Sequence, residues 1–204
     1  MPLLVARLRA VAAVAALVAV AALSGGCSPA GPTFRNTDIT GADYGKDFTL
    51  TDHTGKTRTL ADFKGKLVVM FFGYTHCPDV CPTTMGEFNL VLKRLGDEGK
   101  RVQVLFVTLD PERDSQALLA LYVPAFNPAF LGLFGDLATT AKVAKDFRVF
   151  YQKVPGSNPE NYSMDHTAGS LVFDTQGRLR LYVRHGGSPD PLIEDLKTLL
   201  VLSG

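Results

Sequence analysis

The strongest constraint on the fold is an uninterrupted apolar run over residues 67–72, LVVMFF, which ends at Gly73. A strand that lacks alternation between apolar and polar residues is covered on both faces, as in parallel or mixed sheets. A second run of this kind extends from Val102 to Leu109. The two runs predict buried strands inside an α/β domain.

The remaining elements alternate between strand and helix. Apolar spacing predicts helices at 84–95, 114–123, 137–147 and 190–202, and strands or short apolar segments at 130–134, 149–154, 170–173 and 179–183. Residues 48–50 and 57–60 flank a turn and predict an N-terminal β-hairpin extension, whereas the polar stretch 155–165 predicts a loop. The expected fold is α/β, with a central mixed β-sheet flanked by helices over residues 45–204.

Residues 1–26 have the pattern of an export signal. Two arginines precede a thirteen-residue apolar run, Val11 to Leu23, which is shorter than the about 20 residues of a transmembrane helix. Small residues and Cys27 follow. The pattern resembles a bacterial lipoprotein signal in which Cys27 is lipidated, although Ser24 stands where leucine is usual. An uncleaved anchor and a plain signal are the alternatives.

The segment between the export signal and the domain is also predicted from its composition. Residues 27–44, rich in proline and glycine at their start, are predicted to be a flexible tether between the anchor and the domain. The protein is therefore expected at the extracytoplasmic face of a bacterial membrane.

A net charge of +1 excludes a strongly basic nucleic-acid-binding protein. Three cysteines are too few for a disulfide scaffold, and setting Cys27 aside leaves one pair.

That pair, Cys77 and Cys81, follows the first buried strand directly. Ligand sites of α/β sheets lie at the carboxyl ends of strands, and a spacing of four places both sulfurs on one side of a helical turn. A helix N-terminus favours the thiolate form. The pair is therefore a redox dithiol or a metal site, with a stabilising disulfide or two inert thiols as the structural alternatives. Zinc and iron–sulfur sites normally need four ligands, whereas Cu(I) accepts two or three soft donors.

A third donor would come from histidine or methionine, and four histidines are available. His53 is expected in a solvated turn, and His185 is expected to be structural or exposed. His76 adjoins the first cysteine, but its side chain need not point the same way. His166 precedes the predicted strand 170–173, and the residues alone leave its role open. Met70 and Met85 are expected in the core.

Three motifs resemble the Sco/SenC family of thioredoxin-like copper chaperones: YTHCPDVCPT at 74–83, VTLDPERD at 107–114 and DHTA at 165–168. The resemblance covers about residues 45–202. It implies a thioredoxin-like fold and a copper site formed by Cys77, Cys81 and His166 that holds Cu(I) and also Cu(II). Asp110 and Asp165 are candidates to orient the histidine, with a solvated acid as the alternative.

Members of this family help to assemble the dinuclear copper site of cytochrome c oxidase. The resemblance therefore implies a membrane-tethered copper chaperone whose partners are the copper-site subunit of the oxidase and other periplasmic copper chaperones or thiol reductants. The alternative is an enzyme, a thiol-disulfide oxidoreductase that reduces the copper-site cysteines through Cys77 and Cys81. A third hypothesis is a peroxide-reducing protein of the same fold. Whether the protein turns over a substrate stays open at this point.

Overall fold

A computed structural model describes residues 31–158 and 161–203. The chain divides into residues 1–33 and a second compact unit of residues 34–204. The expectations for the signal 1–26 and for Cys27 lie outside the described residues. Among the residues that are described, no helix has both the length and the apolar character needed to cross a membrane.

The described residues form ten strands and four α-helices. The strands are β1 (Thr37–Asp38), β2 (Leu50–Asp52), β3 (Thr57–Arg58), β4 (Leu67–Gly73), β5 (Val102–Thr108), β6 (Leu131–Phe134), β7 (Tyr151–Asn158), β8 (Asn161–His166), β9 (Ser170–Phe173) and β10 (Leu179–Val183). The helices are α1 (Val80–Leu95), α2 (Gln116–Phe126), α3 (Leu137–Asp146) and α4 (Asp190–Leu202). Short 3-10 helices lie at Leu60–Phe63 and Gly96–Arg101.

Eight of these described strands form one mixed sheet in the order β1-β10-β9-β4-β5-β6-β2-β3. The central strands β4, β5 and β6 run parallel, and β9 pairs antiparallel with β4. The predicted α/β class, with a central mixed sheet flanked by helices, is confirmed. The N-terminal hairpin β2–β3 is joined to the same sheet, because β2 pairs with β6.

Strand β4 is buried along its whole length because helices cover both faces of the sheet. Its alternate side chains divide between two cores. Phe71 lies on one face with Phe88 of α1 and Leu196 of α4. Phe72 lies on the other face with Val143 of α3. The carboxyl end of β4 is therefore held from both sides, which fixes the start of the loop that follows it.

Two helices begin at different residues from those predicted. Helix α1 begins at Val80 rather than near residue 84, so Cys81 lies inside its first turn. Pro82 does not prevent this, because the first turn of a helix leaves its N–H groups unbonded in any case. Helix α2 begins after Ser115, whose side chain accepts a hydrogen bond from the N–H of Leu118. Pro124 lies within α2 instead of ending it.

The prediction of a loop over residues 155–165 is wrong. Residues of this stretch form most of the antiparallel hairpin β7–β8, a two-stranded sheet of its own in which Tyr151 is opposite His166. The pairing shifts between Pro155 and Asn158, and most of β7 is exposed. A polar, proline-containing strand with little burial has no apolar alternation, and its sequence therefore resembles a loop.

The domain also includes residues that the sequence places in the tether. Strand β1 pairs with β10 at the edge of the main sheet. The backbone N–H groups of Arg35 and Asn36 donate to the carboxylate of Asp195 in α4, at 2.7 and 2.8 Å. Asp195 is buried, so this contact satisfies a carboxylate that would otherwise be costly to desolvate. Residues 35–38 are therefore attached to the domain.

Candidate metal centre

The two cysteines lie at the carboxyl end of β4, as the sequence predicts. Cys77 is partly exposed in the loop before α1, and Cys81 is buried in the first turn of that helix. The backbone N–H of Cys81 donates to Sγ of Cys77 at 3.4 Å. Both are free thiols. The helical turn thus brings the two residues together without a disulfide.

The loop that carries Cys77 is attached to the loop after β5. Asp114 is fully buried and accepts hydrogen bonds from the backbone N–H of Thr75 at 3.0 Å and from its hydroxyl at 2.6 Å. The hydroxyl of Thr108 donates to the same carboxylate at 2.6 Å. Asp114 does not cap the helix that follows, because Ser115 performs that function. Asp114 instead positions the residues that lead into Cys77.

His166 reaches the cysteines from the end of β8. Its Nε2 lies 3.9 Å from Sγ of Cys81, although the two residues are 85 positions apart in sequence. Its Nδ1 lies 3.0 Å from the carbonyl oxygen of Thr167. Because a carbonyl can only accept, the proton is assigned to Nδ1, and Nε2 then presents its lone pair to the sulfur. The ring also makes an edge contact with Tyr74, at a centroid distance of 6.0 Å.

Burial favours the uncharged forms of Cys81 and His166 when no metal is bound. It raises the pKa of the Cys81 thiol well above its usual range, and the neighbouring Cys77 adds to the rise. Burial also lowers the pKa of His166, so the imidazole is neutral. The direction of the pKa shift at Cys81 is opposite to the thiolate preference expected at a helix N-terminus, because burial disfavours the charged form of the thiol. A metal ion that binds here displaces a thiol proton.

The three candidate donors are close together but do not form a finished site. Within the described residues, no group of three or more His, Cys, Asp or Glu side chains is already arranged to hold an ion. With metal–sulfur and metal–nitrogen bonds of about 2.3 and 2.0 Å, two ligands at a trigonal angle lie about 3.7 Å apart. The observed 3.9 Å between Cys81 and His166 is near that value.

The other histidines have structural partners. Nδ1 of His53 accepts the backbone N–H of Gly132 at 3.0 Å, so His53 is not simply a solvated turn residue. His76 is half exposed and lies 3.8 Å from Asp114. Nδ1 of His185 lies 2.9 Å from the hydroxyl of Thr84 in α1, which fits the expected structural role.

Neither predicted acid hydrogen-bonds to His166. Asp165 is exposed on the opposite side of β8, and Asp110 instead contacts Arg113 and Tyr162. The backbone carbonyl of Thr167 orients the ring instead, a contact that side-chain patterns cannot reveal. The contacts of Asp114 were also missed, although the spacing Asp-x-x-x-Asp directly after a buried strand was a usable signal. Met70 and Met85 lie in the core as predicted.

The fold and the site together define a thioredoxin-like protein with a thiol pair and a histidine at the carboxyl edge of its sheet. The SCO1/SenC family model matches residues 36–201. The chain belongs to the SCO1/SenC family.

Individual relatives agree with this assignment. The mitochondrial SCO2 homologue of Mus musculus is 37% identical over 153 residues, which are 74% of this chain and 60% of that protein. The chain thus spans about three fifths of that relative. A SCO2-like protein of Rickettsia felis is 33% identical over 154 residues, 75% of each chain. The structure of Bradyrhizobium japonicum ScoI with copper bound is 42% identical, with a TM-score of 0.71, covering 78% of this chain and all of that one.

Proposed function

We propose that this protein binds copper through Cys77, Cys81 and His166 and delivers it to the dinuclear copper site of cytochrome c oxidase. The observation that carries the proposal is the approach of His166 Nε2, which carries no proton, to within 3.9 Å of the Cys81 sulfur. Bradyrhizobium japonicum ScoI, which is 42% identical, has been solved with copper bound. Two soft sulfurs with an imidazole suit Cu(I) and, through the nitrogen donor, also Cu(II).

Each donor has a distinct part in loading and release. Cys77 is partly exposed and is the first sulfur that an incoming copper ion meets. Cys81 releases its thiol proton to solvent as its sulfur bonds to the metal. His166 enters from a separate hairpin, so it can dissociate while both cysteines stay bound. The open position then accepts a thiolate of the receiving protein, and copper moves by ligand exchange.

The proposed partners are those that the family resemblance implies. The receiver is the copper-site subunit of the oxidase, and other periplasmic copper chaperones or thiol reductants supply copper or keep the cysteines reduced. Lipidation of Cys27 would hold the domain at the extracytoplasmic face of a bacterial membrane. The apolar run before Cys27, with the small residues that follow it, supports this anchor.

A titration of the reduced protein with Cu(I), in competition with a chelator and without oxygen, tests the ligand set. We expect one tight equivalent, which the double variant Cys77→Ser/Cys81→Ser loses. Removal of supporting groups around a metal typically costs about 10–100-fold in affinity, so His166→Ala should weaken binding by at least about a hundredfold. His76→Ala, a partly exposed histidine beside Cys77, is the matched control and should bind as the parent does. An unchanged affinity in His166→Ala contradicts the ligand assignment.

A second candidate function is thiol–disulfide exchange. Cys77 is accessible, and its sulfur accepts the N–H of the buried Cys81, as suits an attacking and a resolving thiol. The two thiols would become a disulfide while a disulfide of the oxidase copper site becomes two thiols, with two electrons and two protons transferred. This activity needs no imidazole. Turnover that persists in His166→Ala, without tight copper binding by the parent, would favour this function over copper delivery.

A further inference from the structure

The hairpin that carries His166 is not part of the main sheet. Strands β7 and β8 pair only with each other among the described strands. Nine of their fourteen residues are exposed, and β7 has no buried residue. Main-chain pairing with the central sheet therefore does not hold this element in place. Side chains do so, chiefly those of β8, together with Tyr151 of β7, which packs against the core, and Lys153 of β7, which pairs with Glu112.

One face of β8 meets the domain. Tyr162, Met164 and His166 alternate along the strand and share that face, whereas the residues between them are exposed. Met164 is buried in the core cluster that contains Cys81. His166 lies at the cysteines. Tyr162 is the outermost of the three, about 13 Å along the strand from His166, and it is the one that makes polar and charged contacts.

Arg113 and Asp110, from the loop after β5, hold Tyr162 on three sides. The guanidinium carbon of Arg113 lies 3.5 Å from the centre of the Tyr162 ring. Nη1 of Arg113 donates to the backbone carbonyl of Tyr162 at 2.9 Å. The hydroxyl of Tyr162 donates to Asp110 at 2.8 Å, and Nε of Arg113 donates to the other oxygen of Asp110 at 2.5 Å. The three side chains form a closed ring of contacts, called here the hairpin latch.

We propose that the hairpin latch, Asp110, Arg113 and Tyr162, sets the rate at which His166 leaves copper and hence the rate at which copper is released. The inference rests on the proposed function, since it takes His166 as a ligand. While the latch is closed, β8 cannot move away from the domain and the imidazole stays over the sulfurs. When Tyr162 separates from Arg113, this face of β8 is held mainly by Met164, so the strand moves away more readily and the third ligand is withdrawn more often. Arg113 and Tyr162 are thus positioning residues that do not contact the metal.

The first step of the test removes the latch without touching a proposed ligand. Arg113→Met keeps much of the chain length but loses the charge and the donors, and Tyr162→Leu loses the ring. Tyr162→Phe keeps the stacked ring and loses only the bond to Asp110, so it guards against a variant that fails to fold. Arg94→Met is the matched control, because Arg94 pairs with Asp190 on the surface, some 20 Å along α1 from Cys81.

Two measurements are made on each variant. Amide hydrogen exchange of the copper-free protein reports the attachment of residues 151–158 and 161–166. Stopped-flow transfer of Cu(I) to excess chelator reports release. We expect faster exchange in the hairpin and about tenfold faster copper release for Arg113→Met and Tyr162→Leu, the ratio that follows from losing one charged, stacked contact. Tyr162→Phe should be intermediate, and Arg94→Met should match the parent.

A second series in the His166→Ala background separates positioning from general loosening. If the latch acts through His166, Arg113→Met causes no further acceleration once that side chain is absent. Additional acceleration in this background would overturn the proposal. If Arg113→Met releases copper at the parent rate while His166→Ala releases it faster, the proposed role of the hairpin latch is disproved. The proposed ligand set then stands. Parent-like release by His166→Ala itself overturns the ligand assignment, and with it the role of the latch in release.

Discussion

Gly73, the last residue of β4, leaves the space that the Cys81 sulfur occupies. A Cβ atom at this position would lie 2.8 Å from Sγ of Cys81 and 3.0 Å from the rings of Phe71 and Phe106. The two rings are buried between the sheet and its helices and have little freedom to move. The sulfur is the group that must shift. A methyl group added at position 73 would therefore displace a proposed metal ligand.

We expect Gly73→Ala to fold with a loss of about 1–3 kcal/mol in the free energy of unfolding, as for an overpacked core. Its copper affinity should fall, because the displaced Cys81 sulfur no longer meets His166. Gly86→Ala is the control, since Gly86 lies in the same helix with open space around it and should gain about 1 kcal/mol. Urea unfolding and the Cu(I) titration measure both effects. Parent-like copper affinity in Gly73→Ala would contradict this account.

Single residues of the site differ in how far the sequence reveals them. Cys77 and Cys81 could be selected from the residues alone, because both donors lie in one short segment beside a predicted strand. His166 was selected only through the family resemblance, since its contact with Cys81 joins residues 85 positions apart. Tyr162 and Arg113 meet through a stacked contact between two elements, and no local pattern encodes such a contact.

At the scale of elements, the loop after β5 supports the cysteine loop through Asp114. In Asp114→Asn one carboxylate oxygen is replaced by an NH2 group, which faces donors from Thr75 or Thr108. We expect a loss of about 1–3 kcal/mol in the free energy of unfolding, the cost of an unsatisfied buried group. Amide exchange at residues 74–77 should also become faster. Glu112→Gln, in the same loop but half exposed, should change little. Unaltered exchange in Asp114→Asn would argue against the support.

The hairpin β2–β3 contains an acid-sensitive contact at Asp52. Burial opposes ionisation, but hydrogen bonds from Thr54, Arg58 and the N–H of Lys56 prevail and lower the pKa of Asp52 to about 2. A lowered pKa gives stability that is present above the unfolded value of about 3.9 and is lost as pH falls toward 2. This lowering of the pKa of Asp52 corresponds to about 2–3 kcal/mol in the free energy of unfolding. Urea unfolding between pH 5 and 2 should show a shallower decline in Asp52→Asn than in the exposed control Asp97→Asn. Parallel declines would contradict the assignment.

Elements with apolar alternation or complete burial could be predicted closely. Strands β9 and β10 and helix α4 have the bounds that the sequence indicated, because their spacing reflects burial on one or both faces. The start of β7 lies within the predicted strand 149–154. The rest of the hairpin β7–β8 was missed because its cohesion comes from main-chain pairing and from the side chains of Tyr162, Met164 and His166. A polar strand with few buried residues leaves no periodic signal.

For the whole molecule, the point at which the chain leaves the domain sets how far the domain can travel from its proposed anchor. Arg35 is the first residue bonded to Asp195. The chain from Cys27 to Arg35 spans at most about 28 Å when fully extended. If residues 35–44 were released, the next backbone contact would be that of Gly45 with Asp146, and the reach would become about 60 Å. Under the proposed anchoring at Cys27, Asp195 would help to set this reach.

We expect Asp195→Ala to release this segment, because it removes the acceptor of three hydrogen bonds from Arg35 and Asn36. Amide exchange at residues 35–39 should become faster, with a loss of about 1–3 kcal/mol in the free energy of unfolding. Copper affinity should stay at the parent value, since no proposed ligand is touched. Glu194→Ala is the matched control, because Glu194 meets Arg35 only in an exposed ion pair worth about 0–1 kcal/mol. Equal exchange in the two variants would show that β1 alone retains the segment, and the reach would then be fixed by the β1–β10 pairing instead.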